Sequence, residues 1–252
     1  MVNIKALVLA AGYATRLFPI TKYIPKPLLP INGKPMIEYI LDKLCIVDEI
    51  DEIFIVTNKK FYPHFKIWYE RIEAAEVYDK KILIIDDNTT QDGKKLGAIG
   101  DMKLVISKEK IRDNLLIVGG DNLFEFNMID FINYFSEKNK NLIALHDIKD
   151  KEAVKRFSIV ELNPENKLIN FEEKPKNPKT TLIAICLYIF RKETLNRIDE
   201  YLKKGNNPDA PGYLIEWLYE NDEIYGWVFS EPWFDIGSIE QFEEAVGKYG
   251  GL

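Results

Sequence analysis

The stretch that decides the fold is Ile4–Pro35, IKALVLAAGYATRLFPITKYIPKPLLPINGKP. From Ile4 to Leu9 apolar residues follow one another without polar alternation, the pattern of a central strand covered on both faces. The run ends at Ala10-Ala11-Gly12, small residues that let a backbone pass close to a bulky ligand. Arg16, Lys22 and Lys26 follow, in a segment stiffened by Pro19, Pro25, Pro27 and Pro30. A small-residue turn leaving a central strand, with fixed cations beyond it, suits a triphosphate: backbone N–H groups take phosphate oxygens and the cations offset their charge. Two other readings compete. A dinucleotide-binding G-x-G-x-x-G turn needs three glycines, of which only Gly12 is present, and the second strand runs into Thr57-Asn58-Lys59 with no acidic residue. A proline-rich connection bearing surface lysines is the plainer alternative.

Working outward, apolar residues at Ile37, Ile40, Leu41, Leu44 and Val47 have helical spacing over 36–47. Strands are predicted at Asp51–Thr57, Lys81–Asp86, Asn114–Gly119 and Asn141–His146. Helices between them are predicted at Phe61–Ala75, Leu96–Ile106 and Met128–Lys138. This alternation predicts an α/β fold with a mostly parallel sheet and helices on both faces. From Lys151 the rhythm changes. Arg156–Leu162 and Lys167–Glu173 read as a hairpin about Asn163-Pro164-Glu165-Asn166, and Leu182–Phe190 as a long apolar strand. Helices are predicted at Lys192–Lys203, Tyr213–Glu220 and Ile239–Tyr249, with extended segments at Ile224–Ser230 and Trp233–Asp235. The expectation is one domain over 1–252, with a nucleotide-binding half to about residue 150 and a more antiparallel half after it.

A chain of 252 residues can bury one substantial core, and 46% hydrophobic with 29% charged residues is ordinary for a water-soluble protein. The net charge of −6 argues against a general nucleic-acid binder. Cys45 and Cys186 sit in separate apolar runs without metal-ligand spacing, and read as reduced thiols of a cytoplasmic protein. No apolar run reaches the length of a membrane span, and the chain enters a strand at once, so neither membrane segment nor signal peptide is expected. His64 and His146 are isolated, and neither is expected to be a ligand.

Ligands of open α/β sheets gather at the carboxyl ends of strands. Asp121 directly follows the Asn114–Gly119 run, so it is expected in the same crevice as the Gly12 turn; alone it reads as a turn or helix-capping aspartate. Glu173-Lys174-Pro175 ends the hairpin, and alone is a solvated edge. Asp235, in Trp233-Phe234-Asp235-Ile236-Gly237, could equally cap the helix after it.

Together these residues resemble the nucleoside-diphosphate-sugar pyrophosphorylases, the sugar-1-phosphate nucleotidyltransferases. The family's first pattern, L-A-G/A-G-x-G-T-R-L-x-P-x-T then P-K-P-L/M-x-P, is matched by Leu9, Ala11, Gly12, Thr15, Arg16, Leu17, Pro19 and Thr21. Pro25, Lys26, Pro27, Leu28 and Pro30 complete it. Ala14 departs where glycine is usual, which predicts a tighter or differently angled loop. Gly120-Asp121-Asn122, Glu173-Lys174-Pro175 and Trp233-Phe234-Asp235 resemble three later motifs, in order, so the likeness covers nearly the whole chain.

The resemblance implies a Rossmann-like fold, a nucleoside triphosphate and a sugar-1-phosphate as substrates, and Mg²⁺ as cofactor. It implies catalytic roles for Arg16, Lys26 and Asp121, and a metal held by Asp121 and Asp235. Leu9, Ala11, Gly12, Thr15, Gly93 and Gly120 are implied to line the nucleotide. A base-reading residue falls at Asn88 or Gln91, according to which glycine sets the register. Asn122, Ser158, Glu173 and Lys174 are implied on the sugar phosphate, with Ser158 standing where the family often has glycine. Glucose-1-phosphate with dTTP or UTP is the pair to expect. Nucleotidyl transfer to another phosphate monoester such as phosphocholine, and a non-catalytic nucleotide-sugar sensor, remain open, as does a homo-oligomer.

Overall fold

The structure, a computed structural model, describes residues 3–249. Along the chain, β1 (Ile4–Leu9) leads through 3-10 turns to the short pair β2 (Pro30–Ile31) and β3 (Lys34–Pro35). Then come α1 (Met36–Cys45), β4 (Ile50–Thr57), α2 (Tyr62–Ala74), β5 (Lys81–Asp86), α3 (Ala98–Lys108) and β6 (Asn114–Gly119). They are followed by β7 (Asn122–Phe124), α4 (Met128–Lys138) and β8 (Asn141–Asp147). The second half holds β9 (Ser158–Leu162), β10 (Leu168–Glu173), β11 (Leu182–Phe190), α5 (Leu195–Lys203) and α6 (Pro211–Leu218). It ends with β12 (Ile224–Phe229), β13 (Trp233–Asp235) and α7 (Ile239–Lys248).

β1 is central: it pairs in parallel with β4 on one edge and β6 on the other, and β5 extends the parallel run beyond β4. Side chains alternate across a strand. Ile4, Ala6 and Val8 pack with Ile37 and Leu41 of α1, Phe65 of α2 and Phe131 of α4, whereas Leu7 joins Ile99 and Met102 of α3. Both faces are covered, which is why the run carries no alternation. Lys5, its one charged residue, is tied to Asp51 and Glu52.

The antiparallel half is welded to this sheet through β11. One edge of β11 is divided: Leu187–Phe190 pair with β6, and Ile183 and Ala184 pair with β9. The other edge pairs with β8, and its register jumps between Ala184 and Tyr188. A bulge there bends the strand, so the sheet forks beside Cys186. β12 lies parallel to β8, and β13 forms a separate two-stranded ribbon with β7.

The structure departs from the sequence reading at several element ends: β9 starts at Ser158 rather than Arg156, and α6 spans Pro211–Leu218 rather than Tyr213–Glu220. α3 begins at Ala98 rather than Leu96, because Gly97 takes φ +79 and a Cβ there would come within 2.4 Å of Pro208 O. Lys192–Thr194 is a 3-10 turn ahead of α5. β7 has no counterpart in the sequence reading: it is three residues long, too short for a period to show.

Candidate active site

At the carboxyl end of β1 the chain turns through residues 10–14, and hydrogen bonds from distant residues hold that turn. Ala10 N donates to Val56 O at 2.9 Å, Asn58 Nδ2 to Ala11 O at 2.9 Å, and Thr21 Oγ1 to Ala14 O at 2.7 Å. Gly120 N donates to Leu9 O at 2.9 Å, and a Cβ at Gly120 would come within 2.9 Å of that oxygen. Glycine is needed there so that the Asp121 loop can lie against the turn. Gly12 differs: a Cβ on it would meet nothing within 4 Å. The fold leaves open space over Gly12. Ala14 adopts the left-handed region, φ 46 and ψ 43, so the site where glycine is usual keeps a glycine-like conformation with an alanine. Thr15 and Arg16 sit exposed on the 3-10 turn Thr15–Leu17, which buried Leu17 anchors.

The segment after β5 lies alongside. Asp87, buried, accepts from Thr89 N at 2.6 Å and Thr89 Oγ1 at 2.9 Å, and Thr89 Oγ1 lies 3.4 Å from Tyr13 OH. Asn88, exposed with φ 64, is therefore held next to the residue following Gly12. Gln91 and Gly93 are exposed further along the loop. At the loop's end Ala98 N and Ile99 N, the first donors of α3, are taken by Asp209 O at 3.2 Å and Pro208 O at 3.0 Å.

The charged centre joins both halves. Lys26 is 8% exposed, and its Nζ reaches Asp121 Oδ2 at 2.6 Å. The β7–β13 ribbon sets Asp235 directly opposite Asn122, one residue beyond Asp121. Burial pushes the Asp235 carboxyl up to about 6, the Asp121 charge adds to that, and Lys26, Arg156 and Arg16 oppose it. Two carboxylates and three cations from separate stretches thus share one electric field. Asn122 itself is buried, with Oδ1 accepting from Trp233 Nε1 at 2.8 Å and Nδ2 donating to Cys186 O at 2.9 Å. Its amide is engaged at both ends and braces the ribbon against the fork in β11.

Beyond the fork lie the residues expected on the sugar side. The β9–β10 register puts Ser158 opposite Glu173, and Ser158 Oγ donates to Glu173 Oε2. A Cβ on Gly212, near the start of α6, would come within 1.9 Å of that Oε2 and 2.5 Å of Ser158 Oγ. The Glu173 side chain is only 5% exposed. Lys174, at φ 52, places Nζ 3.3 Å from Glu173 Oε1 and 5.7 Å from the Tyr213 ring centroid.

Residues 5–250 match the nucleotidyl transferase family. The chain belongs to that family. Among curated relatives, the bifunctional protein GlmU of Methanocaldococcus jannaschii is 29% identical over 251 residues, covering 97% of this chain and 53% of that protein. The UTP–glucose-1-phosphate uridylyltransferase of Synechocystis is 27% identical over 249 residues, covering 96% of this chain and 62% of the relative. The chain thus spans little more than half the length of these relatives. A solved UDP-glucose pyrophosphorylase in complex with UDP-glucose superposes with a TM-score of 0.80 at 21% identity, covering 99% of this chain and 98% of that one. The Rossmann-like mixed sheet expected from the sequence is the fold of this nucleotidyl transferase.

The structure brings Gly12, Lys26, Gly120, Asp121 and Asp235 to one crevice, as strand-end placement predicts for a nucleotidyl transferase. Sequence reasoning misses Asn58, which stands there only as a non-acidic strand end; its amide fixes Ala11 and its Oδ1 accepts from Phe61 N at 3.0 Å. It also misses Gly212, whose lack of a side chain shows its purpose only beside Glu173. Among the described residues, no helix is long and apolar enough to cross a membrane.

Proposed function

We propose that this chain joins a nucleoside triphosphate to a sugar-1-phosphate, giving an NDP-sugar and pyrophosphate, with glucose-1-phosphate and dTTP or UTP as the first pair to test. The observation that carries the reading is the meeting of Lys26, Asp121 and Asp235 beside the open Gly12 turn. The relatives act on sugar phosphates by their names, which supports the substrate class.

The residues fit a hard divalent cation. Asp235 is a half-buried carboxylate pushed up to about 6 by burial and then by the Asp121 charge, and a cation between the two would relieve that repulsion. Among the described residues, no three His, Cys, Asp or Glu groups gather tightly enough to hold a metal alone. Two carboxylates completed by phosphate oxygens and waters suit Mg²⁺. When bound, Mg²⁺ supplies charge neutralisation at the phosphates.

The protein's own groups do the rest. The open backbone at Ala11–Gly12 receives phosphate oxygens, and Arg16 holds the leaving β- and γ-phosphates. Lys26 meets negative charge growing at the α-phosphate, and Lys174 aims the attacking phosphate oxygen in line. Such a transfer needs positioning and charge neutralisation more than covalent help. Asn88, set beside Tyr13, reads the base. A screen of four nucleoside triphosphates against several sugar-1-phosphates and phosphocholine, followed by pyrophosphate release, tests the proposal. Release with a sugar phosphate supports it; release with phosphocholine alone overturns it, and binding without release marks a sensor.

A further inference from the structure

The helix α7 starts beside Asp235 and returns to the ribbon that carries it. Ser238 caps the start, its Oγ accepting from Gln241 N at 3.3 Å, while Gln241 Oε1 accepts from Gly237 N at 2.9 Å. Tyr249 follows the other end. Its hydroxyl donates to Phe124 O of β7 at 3.1 Å, and its carbonyl accepts from Asn32 Nδ2, in the turn between β2 and β3, at 2.6 Å. Tyr249 is 4% exposed, and its ring meets Tyr39 of α1 edge-on at 5.0 Å and Phe234 of β13 edge-on at 5.8 Å. One residue thus touches the β2–β3 turn, α1, β7 and β13.

These contacts belong to an apolar cluster of their own. Ile31, Met36, Leu123, Ile236, Ala245 and Tyr249 pack together, apart from the two cores that cover the faces of the main sheet. Ribbon pairing shows what the cluster holds. Phe234 stands opposite Leu123 and Asp235 opposite Asn122, and successive side chains of a strand point to opposite faces. One face of the ribbon therefore carries Leu123 and Phe234 into the cluster, and the other turns Asn122 and Asp235 to the crevice. The ribbon is two strands of three residues each, and an isolated pair of strands is marginal in water. Packing on its back must fix it, and Tyr249 supplies a buried hydrogen bond to that packing.

We infer that Tyr249 is a positioning residue for Asp235: it clamps the back of the β7–β13 ribbon to the β2–β3 turn and α1, and so sets where Asp235 stands relative to the Lys26–Asp121 pair. This inference rests on the reaction proposed above, in which Asp235 takes part. Tyr249 itself touches no reacting atom.

Tyr249→Phe keeps the ring and loses the hydroxyl, and Tyr249→Leu loses the ring contacts as well. Hydrogen exchange read by mass spectrometry follows the clamp with no substrate present. With the hydroxyl gone, Phe124 O loses a buried donor, so amides in 122–125 and 233–235 exchange about tenfold faster in Tyr249→Phe and faster still in Tyr249→Leu. Amides of β1 and β4 keep the wild-type rate. In pyrophosphate-release kinetics kcat falls about tenfold in Tyr249→Phe and further in Tyr249→Leu, while the triphosphate KM stays within about twofold because the Gly12 turn and Arg16 are untouched. Unchanged ribbon exchange, faster exchange that includes β1 equally, or a loosened ribbon with wild-type kcat each overturns the role of Tyr249. Absence of pyrophosphate release from the wild type overturns the reaction instead, and the exchange rates tell the two failures apart.

Discussion

Lys26 and Asp121 are 95 positions apart in the chain, and their side chains meet at 2.6 Å. The pair is asymmetric. The Lys26 side chain is 10% exposed and that of Asp121 is 41% exposed, so the cation is built into the wall while the carboxylate faces the crevice. Lysine therefore holds Asp121 in place before a substrate arrives. In the proposed reaction Asp121 would help hold the divalent ion, which would supply charge neutralisation, and Lys26 would meet the phosphates. Lys26→Ala is expected to lower turnover by about 10²–10³, the usual cost of losing a preorganised group that meets developing charge. Pyrophosphate-release kinetics on a variant with unchanged circular dichroism checks it, and near-normal turnover would remove Lys26 from the chemistry.

The two aspartates give a second expectation. Asp121→Asn and Asp235→Asn each remove a charged ligand of the proposed cation site, so Mg²⁺-dependent turnover should fall by about 10³ or more. Triphosphate affinity measured in EDTA should stay near the wild-type value, because the Gly12 turn and Arg16 are untouched. A loss of metal-free affinity as large as the loss of turnover would mean that the carboxylates act on the fold and not on an ion.

Gly12 separates ligand from fold. A Cβ there meets nothing within 4 Å, so Gly12→Val should melt near the wild-type temperature. The same variant should bind triphosphate at least about tenfold more weakly, about 1.4 kcal/mol, because side-chain atoms fill the space over the turn. Titration calorimetry with the triphosphate gives the answer. Unchanged affinity would move the phosphates away from this turn.

Ala14 carries a small strain. Its φ of 46 and ψ of 43 cost a non-glycine residue about 1 kcal/mol. Ala14→Gly should recover about 0.5 kcal/mol, the larger unfolded-chain freedom of glycine offsetting the rest. A chain of this size gains about 2 °C in melting temperature from such a change, and a lower melting temperature would contradict the assignment.

Asp101 bears on pH. It lies in the first turn of α3, 5% exposed, with Oδ1 lacking any hydrogen-bond partner. Burial, and then the Asp87 charge, pushes its carboxyl up to about 8. Between about pH 4 and 8 the folded chain keeps a proton that the unfolded chain has lost, so stability falls as pH rises through that window. Asp101→Asn should remove the slope and stabilise the protein at pH 7.5 by about 1 kcal/mol or more, since each tenfold difference in proton affinity between folded and unfolded chain is worth about 1.4 kcal/mol. Urea titrations at pH 5 and 7.5 measure both, and equal slopes for the two proteins would show Asp101 ionised in the fold.

Several elements were legible because their causes are local. The apolar run Ile4–Leu9 announced a strand covered on both faces, and the spacing of Ile37, Ile40, Leu41 and Leu44 announced α1. The start of α3 was not legible. Leu96 continues an apolar pattern, but Gly97 is held at φ +79 by the backbone of Pro208, more than a hundred residues away in the chain. For the same reason Gly212 gave no signal, since it lies in α6 while the carboxylate it accommodates comes from β10.

By itself, the sequence determined the strand and helix types, the turn after β1, and which residues bear the charges. Motif order was enough to point to the nucleotidyl transferase family. Only the tertiary structure decided that Asp235 stands opposite Asn122, that Lys26 reaches Asp121, and that β11 divides its edge between β6 and β9. Periodicity and turn chemistry depend on neighbours a few residues away. Which distant strand ends meet depends instead on pairing and burial summed over the whole sheet, and no single segment contains that sum.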